Sequence, residues 1–148
     1  MWENFSIWLN SLPLEWMLLV SAFISATLLP GGTEALLAAA VLSTTEPSRW
    51  LLFVAMASIG NTAGAMTSWA IGRFLPQRPM PLRAQRWIER WGATALLFSW
   101  LPLVGDALPL VAGWRRIDWR VSLFFIAAGK TARFAVLALA ALGVLALH

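Results

Sequence analysis

The sequence predicts an all-α integral membrane protein made of two inverted repeats, each a re-entrant helical hairpin followed by a transmembrane helix. Three observations carry this reading. Of the 148 residues, 59% are apolar and 12% charged, about half the charged share of a soluble domain, and mean hydropathy is +0.71. The apolar residues gather into runs, some near and some well short of the ~20 residues that cross a hydrocarbon core of ~30 Å. Two short motifs recur in the same order at nearly the same offset. Cysteine is absent and the one histidine is His148, which removes disulfide scaffolds, Cys/His zinc sites and Ser-His-Asp triads together. No enzyme, cofactor or metal is expected.

Residues 1–13 carry Trp2, Phe5, Trp8, Leu9 and Leu12 at helical spacing and lack the basic start of a secretion signal. A short interfacial helix with tryptophan anchors is expected there. Residues 14–45 form the first hairpin: Met17–Leu29 runs into Pro30, Gly31, Gly32 and Glu34, after which Ala35–Leu42 is apolar again. Proline removes a helical hydrogen bond and glycine loosens the backbone. Such a break at membrane depth needs protein or a wet cavity around it; a kinked but complete helix or a hydrophobic loop is the alternative. Residues 50–72 form one clean span between Arg49 and Arg73. Residues 73–92 form a basic loop with Arg73, Arg78, Arg83, Arg86 and Arg90 against Glu89. Residues 93–114 repeat the broken pattern, interrupted by Pro102, Gly105, Asp106 and Pro109. Residues 121–147 form a second span with Lys130 and Arg133 inside it.

The charges orient these elements. No lysine or arginine precedes Arg49, so the 73–92 loop is the cytoplasmic side by the positive-inside rule. Arg115, Arg116 and Arg120 form the next basic cluster. If both clusters share a side, residues 93–114 must return to the side they left. A net charge of +4 could suggest nucleic acid, but these arginines flank spans, so membrane lipids with anionic headgroups are the expected partners and no nucleic acid is.

The repeat is read from residues 29–36 and 101–108, both L-P-x-x-x-[acid]-A-L, and from Gly60-Asn61-Thr62-Ala63 against Gly129-Lys130-Thr131-Ala132. A unit with one net crossing reverses its orientation the second time, and inverted repeats with broken helices are a recurring transporter architecture. Asn61, Lys130 and Arg133 each fall ten to thirteen residues, or ~15–20 Å, from the nearest flanking arginine, close to the bilayer midplane. Glu34 and Asp106 should reach the same depth from the hairpin tips. Each such charge costs about 2.5–3.5 kcal/mol to insert, so the two acids are expected to pair with the two bases. That layer is a candidate substrate or proton pathway; a structural ion-pair cluster is the alternative. Gly60-x-x-x-Gly64 is a small-xxx-small motif suited to helix packing. Gly129-Lys130-Thr131 lacks the upstream glycine of a phosphate-binding loop, since Phe124 stands there. Leu103 likewise stands where an intramembrane aspartyl protease needs glycine, and no second aspartate completes a dyad.

The run Ser99-Trp100-Leu101-Pro102-Leu103-Val104-Gly105-Asp106-Ala107-Leu108-Pro109-Leu110-Val111-Ala112-Gly113 resembles the signature R-F-x-P-x-V-R-x-x-x-P-x-x-A-G of the DedA family, also called the SNARE-associated Golgi or VTT-domain family. Pro30–Leu37, Gly60–Arg73 and Trp91-Gly92 are similar to further family patterns. The variants S-W-x-P-x-V-G-D and G-K-x-x-R are most similar to the YqaA-like branch. The resemblance implies a multi-pass protein of the bacterial inner membrane with two facing re-entrant hairpins. It also implies transbilayer movement of an anionic lipid such as undecaprenyl phosphate or a phospholipid, coupled to protons through midplane carboxylates, Glu34 matching the family's membrane acid. The signature's two arginines fall on Ser99 and Gly105 here, and an aspartate of the first span's glycine motif falls on Ala65. Lys130 and Arg133 are therefore expected to supply the missing positive charge. A structural or assembly-partner membrane protein and a small proton-coupled cation antiporter are the competing functions. Two spans enclose little space, so a homodimer is also an expectation.

Overall fold

The structure, a computed structural model, describes residues 13–27, 32–76, 82–101 and 104–146. The expected interfacial helix of residues 1–13 falls almost wholly outside them, as do the break residues Pro30, Gly31 and Pro102. Every regular element among the described residues is helical: α1 (Leu14–Thr27), α2 (Gly32–Leu42), α3 (Pro47–Phe74), α4 (Leu82–Trp91), a 3-10 helix (Gly92–Trp100), α5 (Val104–Trp114) and α6 (Trp119–Ala146).

α3 and α6 have 28 residues each, or ~42 Å of helix, and both are long and apolar enough to cross a bilayer. Their ends are written locally. Pro47 sits in the first turn of α3, where its missing N–H costs nothing. At the other end Leu75 leaves helical geometry just before Pro76, as a residue preceding proline tends to. α6 is opened by Asp118, whose carboxylate accepts the backbone N–H groups of Arg120 at 2.9 Å and Val121 at 3.3 Å. α5 is closed by a Schellman turn: Ile117 N–H reaches Ala112 O, Arg116 N–H reaches Gly113 O, and Arg116 takes φ 58°.

The long helices carry the short ones. Glu15, at the start of α1, pairs with Arg49 at the start of α3. Leu19 and Phe23 then lie against Gly60 and Gly64, so α1 runs beside α3 in the same direction. α2 leads through residues 43–46 into α3, and so finishes at the end where α1 began. On the other side Leu97 of the 3-10 helix lies against Gly129, and Trp100 meets Arg133. That helix therefore runs beside α6 in α6's direction. α5 crosses the last turns of α3 at Gly72 and Gly113, where the backbones touch, and ends four residues before α6 starts. In each half the first short helix packs on its own long helix, while the second packs also on the long helix of the other half.

Three expectations change in detail. The spans extend beyond 50–72, to Pro47–Phe74, and start at Trp119 instead of 121. The basic loop 73–92 contains α4, whose Ala84 and Ile88 are buried; two apolar positions four apart are enough to seat one face of a short helix. Pro109 is not at the break but inside α5, buried. Its ring removes one internal hydrogen bond, to the carbonyl of Gly105, close to the helix start where few such bonds exist.

The interior divides by height. One apolar cluster gathers Leu18, Leu37, Val41, Phe53, Ala57, Phe134 and Ala138 near the Arg49 end. Another gathers Ala65, Trp69, Ile88, Leu96, Leu108, Val111 and Ile126 toward the arginine-rich end. Along α3 the buried polar residues between the clusters are Ser58, Asn61 and Thr62, and along α6 the polar side chains enclosed there are Lys130 and, in part, Arg133. A polar layer thus lies between two apolar ones.

Candidate functional site: a layer of paired charges

The polar layer is assembled from three kinds of position. Glu34 and Asp106 both stand in the first turn of a short helix, α2 and α5, where the positive end of the helix dipole favours a carboxylate. Lys130 and Arg133, at i and i+3, share a face of α6. The two sets meet as anticipated from charge balance. Arg133 pairs with Glu34, and Lys130 reaches Asp106 with Nζ 3.4 Å from Oδ1. Arg133 also donates from its other terminal nitrogen to the carbonyl of Trp100 at 2.8 Å, at the end of the 3-10 helix where the last carbonyls have no helical partner. One arginine therefore ties α2, the 3-10 helix and α6 together.

The two pairs differ in exposure. The Lys130 side chain is 2% exposed while Asp106 is 36% exposed; Arg133 and Glu34 are near 25% each. Arg133 further lines an apolar groove of about 450 Å³ with Trp100, Ala132, Val136 and Leu137. The groove thus has hydrocarbon walls and a guanidinium at its edge.

The remaining predicted residues fall as follows. Asn61 is buried in the layer but donates to the Ala22 carbonyl of α1 at 3.2 Å, and its Oδ1 is buried without a partner. Gly60 and Gly64 allow contact with α1: a Cβ on Gly60 would collide with the Leu19 carbonyl and one on Gly64 with Ala26 and the Phe23 carbonyl. Gly32 opens α2 with no contact that a methyl group would disturb. Gly105, second in α5, abuts the Ser99 carbonyl at a distance no Cβ tolerates. The position of the second signature arginine thus has no room for any side chain.

Sequence reasoning missed two sets of residues. Thr33, Ser58 and Ser99 are buried hydroxyls of this layer without hydrogen-bond partners; small polar residues scattered in apolar runs carry no period that would reveal them. The second set is a series of arginine–tryptophan stacks: Arg73 on Trp69, Arg90 on Trp91, Arg115 on Trp114 and Arg120 on Trp119, at 5.4–5.7 Å. All four occur where α3, α4 and α5 end and α6 begins. Their signal was compositional, ten tryptophans and ten arginines with no tyrosine.

Long apolar helices, charge confined to the ends and to one internal layer, and tryptophans stacked at one rim together define an α-helical membrane protein. Comparison with known proteins agrees. The chain is 44% identical over 126 residues to inner membrane protein YqaA of Escherichia coli (strain K12), covering 83% of this chain and 87% of the relative. The identity and coverage are the same for inner membrane protein YqaA of Shigella flexneri. An uncharacterised protein of Haemophilus influenzae is 37% identical over 127 residues, covering 80% and 81% of the two chains. The chain belongs to the YqaA family of inner membrane proteins. No protein-family model matches it, and no solved structure matches significantly.

Proposed function

We propose that this protein moves an anionic lipid between bilayer leaflets, with the polar layer as the path of the headgroup and the groove beside Arg133 as the path of the chain. The observation that carries the reading is the layer itself: four charges from three helices, paired near the middle of the two spans and opening on an apolar groove. Charge at that depth costs about 2.5–3.5 kcal/mol per group and is seldom placed there without a use. A phosphate bearing one or two negative charges can displace Glu34 from Arg133, while the hydrocarbon stays in the groove. The carboxylate so released is free to take a proton.

In this proposal α1–α2 and the 3-10 helix with α5 are re-entrant hairpins of two inverted repeats, lying in the inner membrane of a bacterium with the arginine-rich end in the cytoplasm. The common packing scheme of the two halves supports the repeat. The resemblance to the DedA family supports the substrate class, an undecaprenyl phosphate or a phospholipid. The signature arginines are replaced by Ser99 and Gly105, yet positive charge arrives beside both: Arg133 bonds the carbonyl of Trp100, next to Ser99, and Lys130 meets Asp106, next to Gly105.

The test is leaflet exchange of labelled undecaprenyl phosphate and phospholipid in proteoliposomes, with and without a proton gradient. We expect K130Q/R133Q to slow exchange at least tenfold, and E34Q or D106N to reduce it while the protein remains inserted. Unchanged rates in K130Q/R133Q would remove the two cations from the mechanism. A structural role is favoured by one observation, that all four charges are already paired. On that reading the unmodified protein moves no lipid and the same substitutions only lower its stability.

A further inference from the structure

The arginine-rich end holds a cleft that the proposed lipid path does not use. It measures about 480 Å³ and is lined by Arg83, Arg86, Trp87, Arg90 and Trp91 of α4. The helix is held in place by other contacts: Ala84 and Ile88 are buried, Trp87 at the cleft packs edge-on to Phe98 with ring centroids 5.3 Å apart, and Glu89 pairs with Arg115. Glu89 also accepts from Gln85 at 2.9 Å. The helix's one acid is thus engaged by Arg115 and Gln85, and Arg83, Arg86 and Arg90 are exposed. They are three and four residues apart, or ~4.5 and ~6 Å along the axis, a spacing that lets two guanidiniums share one phosphate group. The neighbouring surface is apolar: Trp91 is 56% exposed, and Leu97 and Phe98 of the 3-10 helix nearly 40% each.

We propose that this cleft is a binding site for the phosphate of an anionic phospholipid, separate from the layer at Arg133. The guanidiniums take the phosphate, Trp87 and Trp91 flank the glycerol region, and the acyl chains run along Leu97 and Phe98. A free phosphate ion would meet the same arginines but would gain nothing from the apolar flank. That flank makes the occupant a lipid. The bound lipid holds α4 at the membrane surface and, through the Glu89–Arg115 pair and Trp87–Phe98 contact, ties it to the end of α5 and to the 3-10 helix.

Native mass spectrometry of the full chain in neutral detergent tests this, with phosphatidylglycerol or phosphatidylcholine added at equal concentration. The unmodified protein is expected to retain phosphatidylglycerol in at least tenfold preference. R83Q/R90Q should lose most of that preference, and R83K/R90K should keep at least half of it. Equal retention of the two lipids by the unmodified protein overturns the proposal without any variant having to fold. So does full retention by R83Q/R90Q. Saturation by inorganic phosphate alone at sub-millimolar concentration would make this a free-anion site and would equally overturn it. Lipid retention is measured independently of transport, so its failure leaves the proposed function standing, and absence of lipid flux leaves this site standing.

Discussion

Lys130 and Asp106 show how unequal the two members of an ion pair can be. The ammonium is almost wholly enclosed and the carboxylate a third exposed, so removing one partner is not equivalent to removing the other. D106N leaves a buried cation without its counter-charge and should cost on the order of 3 kcal/mol. K130Q leaves a carboxylate that the protein encloses only in part, and should cost less. A D106N/K130M double variant should recover most of the loss. Denaturant unfolding in micelles measures all three, and equal losses for the two single variants would contradict the burial asymmetry. At the rim, residue choice has a related logic. Arginine and tryptophan form the strongest cation–π pairs, the flat guanidinium lying over the larger ring. Four such pairs at one end give a physical account of the bias toward Arg and Trp over Lys and Tyr, which composition alone left unexplained.

At the scale of elements, helix ends and helix crossings make different demands. Arg116 holds φ 58° in the Schellman turn between α5 and α6, a conformation that costs a side-chain-bearing residue about 1–2 kcal/mol. R116G should therefore raise stability by about 1 kcal/mol, read as a shift of the unfolding midpoint. The crossing of α3 and α5 allows no such gain. A Cβ on Gly72 would meet the Leu110 carbonyl and one on Gly113 the Trp69 carbonyl. Even G72A should cost about 1–3 kcal/mol, and G113L should prevent monodisperse purification. The two long helices were legible because apolar length is a property of one segment. The 3-10 helix at Gly92–Trp100 was not, since an apolar run does not distinguish it from an α-helix, and α4 was hidden inside a charge-rich loop. Pro109 was misplaced because proline marks a break only where its neighbours cannot absorb the lost bond.

For the whole molecule, the decisive feature is the order of layers: apolar, polar, apolar, then a cationic rim. Both short-helix pairs begin and end at one end of their long helix. The ends of the molecule can therefore be told apart chemically, and the chain has no native cysteine to interfere. The single substitutions E46C, Q85C and R120C should divide into two classes in intact cells. Cysteines at positions 85 and 120 should react only with membrane-permeant reagent, and the one at position 46 also with impermeant reagent. Labelling of positions 85 and 120 from opposite sides would exclude the hairpin topology.

The sequence by itself determined the membrane class, the two long apolar helices, and the need for two acids to meet two bases. These follow from sums over a segment and from the cost of charge in hydrocarbon, which no neighbour changes. Only the tertiary structure decided which acid meets which base, that Arg133 also reaches the Trp100 carbonyl, that Asn61 turns to α1, and that Gly105 leaves no room for a side chain. Those depend on which helices lie within a few ångströms of one another. Contact of that kind is set by backbone approach at Gly60, Gly64, Gly72, Gly113 and Gly129, residues whose meaning is visible only once a second helix is in place.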